Sequence, residues 1–420
     1  MGTLAERLER QEKIHSSAID LTLDRVREVA RRLDLLRPAA RVVTVAGTNG
    51  KGSTVAYLDA VLRAHGVRTG RFTSPHLRRY NERICVDGVE ASDAALIESF
   101  ERIDAARGDI TLTFFEYNAL AALDHFRREK VEVAVLEVGL GGRLDATNII
   151  DADVGIVCSI GLDHVDWLGS TLEKIGREKA GIFRAGKPAV LGSAQLPRSL
   201  FDVIESVGAQ PVLFGRDFSV LLFPDRENSW WDFACGEVAL RRLPYPSLVG
   251  PMQVVNAATA LAALAVSGFG MALDVDRVGP ALQSVRLPGR FQVVPGEVEW
   301  ILDVAHNAPA AELLAKMLRK MPPRRTFAVC GILADKDVAG IAALLADVVE
   351  MWIPATLGGP RALSRQEFVR RLPPGASIDA HAGDVASACG RARTLAQPGD
   401  RVLVFGSFLT VGPALDFLGI

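Results

Sequence analysis

Two runs, VEVAVLEV at 131–138 and VGIVCSI at 154–160, are apolar or small at nearly every position rather than at alternate ones. A strand with that pattern buries both faces, which happens in parallel sheets flanked by helices. Around these runs the same alternation repeats: a strand over 41–46, a helix over 52–65, a short helix over 172–183, a strand over 187–191 and an Ala-rich helix over 256–266. Strands alternating with helical patterns predict α/β layers with a mainly parallel sheet. The segment 215–247, with its prolines and paired tryptophans, predicts hairpins or an irregular insertion. LPGR at 287–290 interrupts the pattern, after which strands are expected near 299–304, 326–331, 350–354 and 401–405, with helices near 309–320, 337–348, 364–372 and 384–396. The chain is therefore expected to divide into 1–287 and a smaller α/β domain over 288–420.

A chain of 420 residues can bury more than one sizeable core. A net charge of −2 gives no electrostatic footprint for nucleic acid. The five cysteines are scattered, with no C-x-x-C pair to suggest zinc or a disulfide framework. The N-terminal residues lack the apolar core of a signal peptide, and no apolar run is long enough to span a bilayer. A cytoplasmic protein that binds neither nucleic acid nor membrane is expected.

VAGTNGKGST, residues 45–54, falls between the strand over 41–46 and the helix that follows. It departs from G-x-x-x-x-G-K-[ST], because Val45 replaces the first glycine and Gly52 stands where the hydroxyl belongs. It still offers glycines, a lysine and two hydroxyls at a helix start, where free N–H groups and the helix dipole favour an anion. Lys51 could reach outer phosphates, and Ser53 or Thr54 could bind Mg²⁺. Glu137 and the SIGLDH stretch with His164 also close apolar strands, the edge at which α/β proteins place ligands. Considered singly, Glu137 is equally an ion-pair partner or a helix cap, and a lone histidine is more often structural. Lys179, inside REKAG, reads as an exposed helical lysine. His76 in SPH and the triplet Asn81-Glu82-Arg83 could face the same edge. In the smaller domain, Asp303 and His306 in DVAHN close a strand and open a helix, a setting for ribose or phosphate, and GILADK at 331–336 ends the next strand. Polar strand ends in two domains suggest a site in the cleft between them.

Taken together, GTNGKGST, TSPHL, NERI, EVGLGGRLDATN, SIGLDH, EKAGI, LPGRF and DVAHN resemble, in order, the folylpolyglutamate synthase family, a branch of the Mur ligase superfamily. The match runs from residue 14 to about 412. The resemblance implies a P-loop NTPase-like central domain that binds ATP and a pterin or folate, followed by a smaller Rossmann-like glutamate ligase domain. In that family GTNGKG[ST] is the ordinary P-loop. The implied reaction joins L-glutamate to a pterin-borne carboxylate through an acyl phosphate made from ATP. Gly47, Thr48, Asn49, Gly50, Lys51, Gly52, Ser53 and Thr54 would cradle ATP, joined by Asn256, Arg290, Asp303 and His306. Met252 stands where the family often carries histidine. Ser53 and Glu137 would hold one Mg²⁺; Glu137, His164 and Lys179 would hold a second, with Lys179 carbamylated. Lys51, His164 and Lys179 would form the catalytic centre.

SSAIDLTLDRV at 16–26 and RGDITLTFFEYNAL at 107–120 resemble the bifunctional bacterial type, which makes dihydrofolate from dihydropteroate and also extends reduced folates. Leu21, Arg83, Thr113, Phe115, Asp145 and Ala146 would then line the pterin site, with Phe115 able to stack on the ring. Core packing is the alternative for Phe115. The resemblance also implies a monomer. A monofunctional folylpolyglutamate synthase is the nearest alternative. A cell-wall Mur ligase is less expected, since a P-loop by residue 47 leaves little room for a UDP-sugar domain before it. A GTP switch is disfavoured because Asp335-Lys336-Asp337 lacks the asparagine that reads guanine.

Overall fold

The structure is a computed structural model that describes residues 2–17, 19–224, 229–359 and 361–420. Ala18 of the 16–26 stretch and residues 225–228 of the expected insertion lie outside them. The chain forms two compact units. The first takes the chain up to Gly161 together with Leu168–Ser247 and Pro251–Val285; the second takes Leu162–Trp167, Leu248–Gly250 and Arg286–Ile420.

In the first unit the strands are β1 (Arg41–Ala46), β2 (Thr69–Phe72), β3 (Ile84–Val86), β4 (Val89–Glu90), β5 (Val133–Glu137), β6 (Val154–Val157), β7 (Pro188–Leu191) and β8 (Gln210–Leu213). Among the described residues they make one eight-stranded sheet in the order β4-β3-β2-β5-β1-β6-β7-β8. Pairing is parallel from β2 through β8, and antiparallel only at the β3 and β4 edge. The run at 131–138 becomes β5, every residue of which is buried, as continuous apolarity requires of an interior strand. The segment expected to be hairpins forms a three-stranded antiparallel sheet of β9 (Phe218–Phe223), β10 (Trp230–Cys235) and β11 (Val238–Pro244).

Helices that the sequence pattern left unassigned complete this unit. Asp93–Arg107 and Phe114–Arg128 pack on the β2 and β5 side around Phe100, Leu120, Phe126 and Leu136. Phe114–Arg128 starts with a capping box, in which Thr113 accepts from the Glu116 N–H and the Glu116 carboxylate accepts from the Thr113 N–H. Those reciprocal bonds satisfy two otherwise orphaned donors and fix the first turn.

The second unit has β12 (Gln292–Val294), β13 (Glu299–Asp303), β14 (Thr326–Cys330), β15 (Met351–Pro354) and β16 (Arg401–Phe405), in the order β12-β13-β16-β14-β15. All pairings but β12 with β13 are parallel. β16 is the last strand in sequence yet lies between β13 and β14, with all five residues buried. Among the described residues no helix is long and apolar enough to cross a membrane.

Leu136 is 1 % exposed within the core cluster of the first unit. Leu136→Ala should lower stability by about 2–5 kcal/mol, the range for emptying a packed leucine site, as read from a denaturant melt.

Candidate active site

β1 is paired on one side with β5 and on the other with β6, with Val45 beside Glu137 and Ala46 beside Val157. Because all three are parallel, the loops after them leave from the same edge. The loop after β1 runs Gly47 to Gly50 and then becomes the helix Lys51–Ala64. Its N-cap is Gly50 at φ 89, and no side chain caps the first turn, so that turn's amides are open to an outside acceptor. A side chain at Gly50 would strain the backbone and would also place a Cβ 2.7 Å from Asn256 Oδ1. Asn256 therefore rests directly on the loop.

Side-chain clasps tie this loop to the one after β6. Thr48 Oγ1 donates to Gly161 O at 3.1 Å and accepts from Gly161 N at 3.0 Å. Ser159 Oγ donates to Asn49 O and accepts from Asn49 N. Thr54 is buried and takes a bond from the Cys158 thiol, whereas Ser53 is 3 % exposed one residue earlier. Lys51 folds over the loop, with Nζ 3.1 Å from Gly47 O and 3.3 Å from Thr48 O.

Lys179 corrects the reading of its own helix. It is 5 % exposed rather than solvated, and its Nζ donates to the same Gly47 carbonyl at 3.0 Å. The helix Leu172–Ala180 is pressed against the turn after β5, where a Cβ on Gly142 would stand 2.8 Å from the carbonyls of Glu178 and Lys179. Arg143 N donates to Glu178 O, its guanidinium pairs with the Glu178 carboxylate, and Asn148 Nδ2 bridges Arg143 O and Gly181 O. Glu137, 5 % exposed, accepts from Ser74 N at 3.1 Å. Burial pushes the Cys158 thiol up to about 11, and Lys51, Glu137 and Lys179 all lie close enough to act on it.

Asp145 is the hub of the glycine-rich turn. Its Oδ2 accepts from the amides of Gly139 and Leu140, and its Oδ1 from the amide and hydroxyl of Thr147, leaving Ala146 buried beside it. The half-buried Phe115 ring lies against Gly139, where a Cβ would overlap it, and 5.9 Å from the Phe72 ring. Leu21 is half-buried in the segment before the helix Asp24–Arg32, and Thr113 caps the helix that carries Phe115.

Arg83 is 7 % exposed, lies over the Tyr80 and Phe114 rings, and donates Nε–H to His76 Nδ1 at 2.8 Å. Burial, with the Arg83 charge, holds the His76 imidazole down at about 4, so it stays a neutral acceptor that orients the guanidinium.

Within the second unit, Asp303 at the end of β13 accepts from the amides of Phe291 and Ala305, and Arg290 lies over the Phe408 ring. His306 Nδ1 is 2.8 Å from Val304 O, and Asn307 caps the helix Ala308–Lys320. His164 belongs to the Leu162–Trp167 segment of this unit and sits at φ 50, a conformation costing a non-glycine residue about 1 kcal/mol. Its neighbour Asp163 is a centre that sequence reasoning missed. Lys336 Nζ reaches Asp163 Oδ1 at 2.6 Å, while Asn307 Nδ2 and His306 Nε2 lie 2.9 and 3.5 Å from Oδ2. Burial opposes the charge on Asp163, but the His306 hydrogen bond and the charges of His164 and Lys336 outweigh it and hold the carboxyl well below the usual range. The one available signal was that DVAHN and GILADK both leave strand ends of the same sheet.

Among the described residues no three His, Cys, Asp or Glu side chains cluster as a ready-made metal cage. A buried carboxylate and a serine hydroxyl suit a hard cation that completes its shell with water and with oxygens of a phosphate held at the uncapped helix start, the habit of Mg²⁺. The fold and this phosphate-ready edge define a P-loop ligase of the Mur type. Residues 45–195 match the Mur ligase middle domain and residues 289–408 the Mur ligase, glutamate ligase domain. The chain is 46% identical over 416 residues to the dihydrofolate synthase/folylpolyglutamate synthase of Escherichia coli (strain K12), covering 99% of this chain and 95% of that one. The structure of E. coli FolC in complex with DHPP and ADP superposes with a TM-score of 0.93 at 45% identity, over 100% of this chain and 98% of the other. A bifunctional folylpolyglutamate synthase/dihydrofolate synthase with Mn, AMPPNP and L-glutamate bound gives 0.91 at 45% identity, over 100% and 99%. This chain belongs to the dihydrofolate synthase/folylpolyglutamate synthase family of Mur ligases.

Two outcomes follow from the packing and the histidine. Gly142→Ala should displace the end of the Lys179 helix and lower ATP turnover by about tenfold or more, since a small misplacement at a catalytic edge costs on that scale. Gly358→Ala, where a Cβ meets nothing within 4 Å, should leave the rate unchanged in the same assay. Unfolded histidine takes up a proton near 6.5, whereas folded His76 does so only near 4. Stability present above pH 6.5 is therefore lost as pH falls toward 4, because the unfolded state binds the extra proton. His76→Gln should lose less stability than the native protein between pH 7 and pH 4, read from urea midpoints.

Proposed function

We propose that this chain is an ATP-dependent ligase that adds L-glutamate to dihydropteroate, forming dihydrofolate, and to reduced folates, extending their glutamyl tails. The reading rests on one observation above all: Lys51 and the buried Lys179 meet at the Gly47 carbonyl beside Glu137, at a helix start open to phosphate. The first unit carries the phosphate loop and the pterin residues, and the second holds the stretch that matches the glutamate ligase domain.

In the reaction, a substrate carboxylate oxygen attacks the γ-phosphorus of ATP and ADP leaves. The glutamate amine then attacks the acyl carbon, loses a proton, and inorganic phosphate departs as the amide forms. Little covalent chemistry is asked of the protein, which must align the groups and neutralise charge. The loop amides and Lys51 bind the phosphates, and Asn256, Arg290, Asp303 and His306 serve the rest of the nucleotide. Arg83, kept charged and oriented by neutral His76, receives the substrate's anionic end. Leu21, Thr113, Phe115, Asp145 and Ala146 form the pterin end, with Asp145 shaping the turn through its four bonds.

Ser53 and Glu137 would hold one Mg²⁺, and Glu137, His164 and Lys179 as a carbamate would hold a second. Bound there, Mg²⁺ offsets phosphate charge and polarises the phosphoryl group. Carbamylation turns a buried ammonium into an anion while leaving one N–H to donate to Gly47 O, so the hydrogen bond survives the change in charge.

Phosphate should be released from ATP only when L-glutamate and either dihydropteroate or a reduced folate are both present. Turnover with a UDP-muramyl peptide instead would sink the assignment, and mass analysis of products from dihydropteroate and from tetrahydrofolate separates the bifunctional from the monofunctional enzyme. Lys179→Ala should abolish turnover. Protein equilibrated with ¹³C-bicarbonate should show a carbamate carbon resonance that this variant lacks; its absence from the native protein would refute the modification.

A further inference from the structure

The pterin end of the proposed site has two walls from distant parts of the sequence, and one guanidinium joins them. Leu21 lies in the segment between Leu4–Ile14 and Asp24–Arg32, whereas Thr113 and Phe115 open the helix Phe114–Arg128. Arg25 Nη1 donates to Asp20 Oδ2 at 2.8 Å and to Thr22 Oγ1 at 2.9 Å, gripping the chain on both sides of Leu21. Its Nη2 donates to Glu116 Oε1 at 3.2 Å. Glu116 is 3 % exposed, and its other oxygen accepts from Thr113 N at 2.7 Å. A second tie runs parallel, from Asp20 Oδ2 through His15 to Thr111 Oγ1.

We infer that Arg25 is a positioning residue that sets the distance between the Leu21 wall and the Thr113–Phe115 wall, and so the affinity for the pterin ring. The inference rests on the pterin reading given above. Arg25 does not touch the phosphate loop in any bond described, so its effect belongs to the folate substrate and not to ATP.

Two features argue against a role in stability alone. Arg25 Nε is buried with no hydrogen-bond partner among the described residues, an unmatched donor that an apolar side chain of similar size would not leave. An ion pair on a half-buried arginine adds little net stability, whereas a fork gripping two walls at fixed spacing supplies geometry that an apolar contact lacks.

The test uses Arg25→Met, Arg25→Lys and Glu116→Gln, the last keeping an acceptor for the Thr113 amide. In steady-state assays each of the Met and Gln variants should raise KM for dihydropteroate by about tenfold, with kcat and the KM for ATP held within about twofold. Arg25→Lys, able to reach one wall at a time, should recover part of that loss. The double variant Arg25→Met/Glu116→Gln should be no worse than Arg25→Met alone, because that substitution already cuts the contact with Glu116. An unchanged dihydropteroate KM, an equal rise in the KM for ATP, or fully additive losses would overturn the inference. Calorimetric titration with dihydropteroate separates the two levels of failure. No binding by the native protein overturns the pterin reading and this inference with it. Equal binding by native protein and Arg25→Met overturns this inference alone.

Discussion

Two lysine ammonium groups share the Gly47 carbonyl, and the rest of the first unit's edge is arranged around that concentration of charge. Two cations gathered on one carbonyl in a partly buried setting repel each other, so they need anions nearby. Glu137 is one, brought alongside by the pairing of β5 with β1. The uncapped first turn of Lys51–Ala64 aims its amides the same way. An edge with two lysines and open helix amides is poised for a polyphosphate, and converting Lys179 to a carbamate on the proposed reading would relieve the repulsion from within.

Lys179 can occupy that place only because glycine removes the obstacles. The turn after β5 and the end of Leu172–Ala180 meet backbone to backbone at Gly142, and Gly181 abuts Arg143 in the same way. Asp145 then locks the turn by accepting four bonds, two from amides at its start and two from Thr147. The glycines of EVGLGG are spacing elements: they let a helix arriving from thirty-odd residues downstream deliver its lysine to the loop after β1.

Sequence alone made the α/β architecture legible, because continuous apolar strands alternating with helical patterns admit few other arrangements. The edge strands β3 and β4 and the helices Asp93–Arg107 and Phe114–Arg128 did not stand out. Their pattern is broken by buried polar residues such as Glu116, Asn118 and Asp124, whose partners lie elsewhere in the chain. The phosphate loop could be read from chemistry as well as resemblance, since glycine, lysine and hydroxyls at a helix start are meaningful in one short window. Lys179 could not, because nothing in EKAG signals burial; its environment is created by β5 and by Gly142. Asp163 with Lys336, and Arg25 with Glu116, escaped for the same reason. Each pair spans a long sequence separation, and each member taken alone is an ordinary charged residue.

β5 connects the two ends of the proposed substrate path. Glu137 closes the strand at the phosphate edge, and two residues later Gly139 lies beneath Phe115. On the proposed reading, a pterin resting on Phe115 would be registered against the same short turn that presents the carboxylate assigned to the metal. With the turn locked by Asp145 and the Leu21 segment tied to Glu116 through Arg25, ring placement and carboxylate placement would be coupled on that reading. Such coupling would suit a ligase that accepts both dihydropteroate and longer folates, with their common ring held at one end and the growing glutamyl chain left to find the phosphate edge.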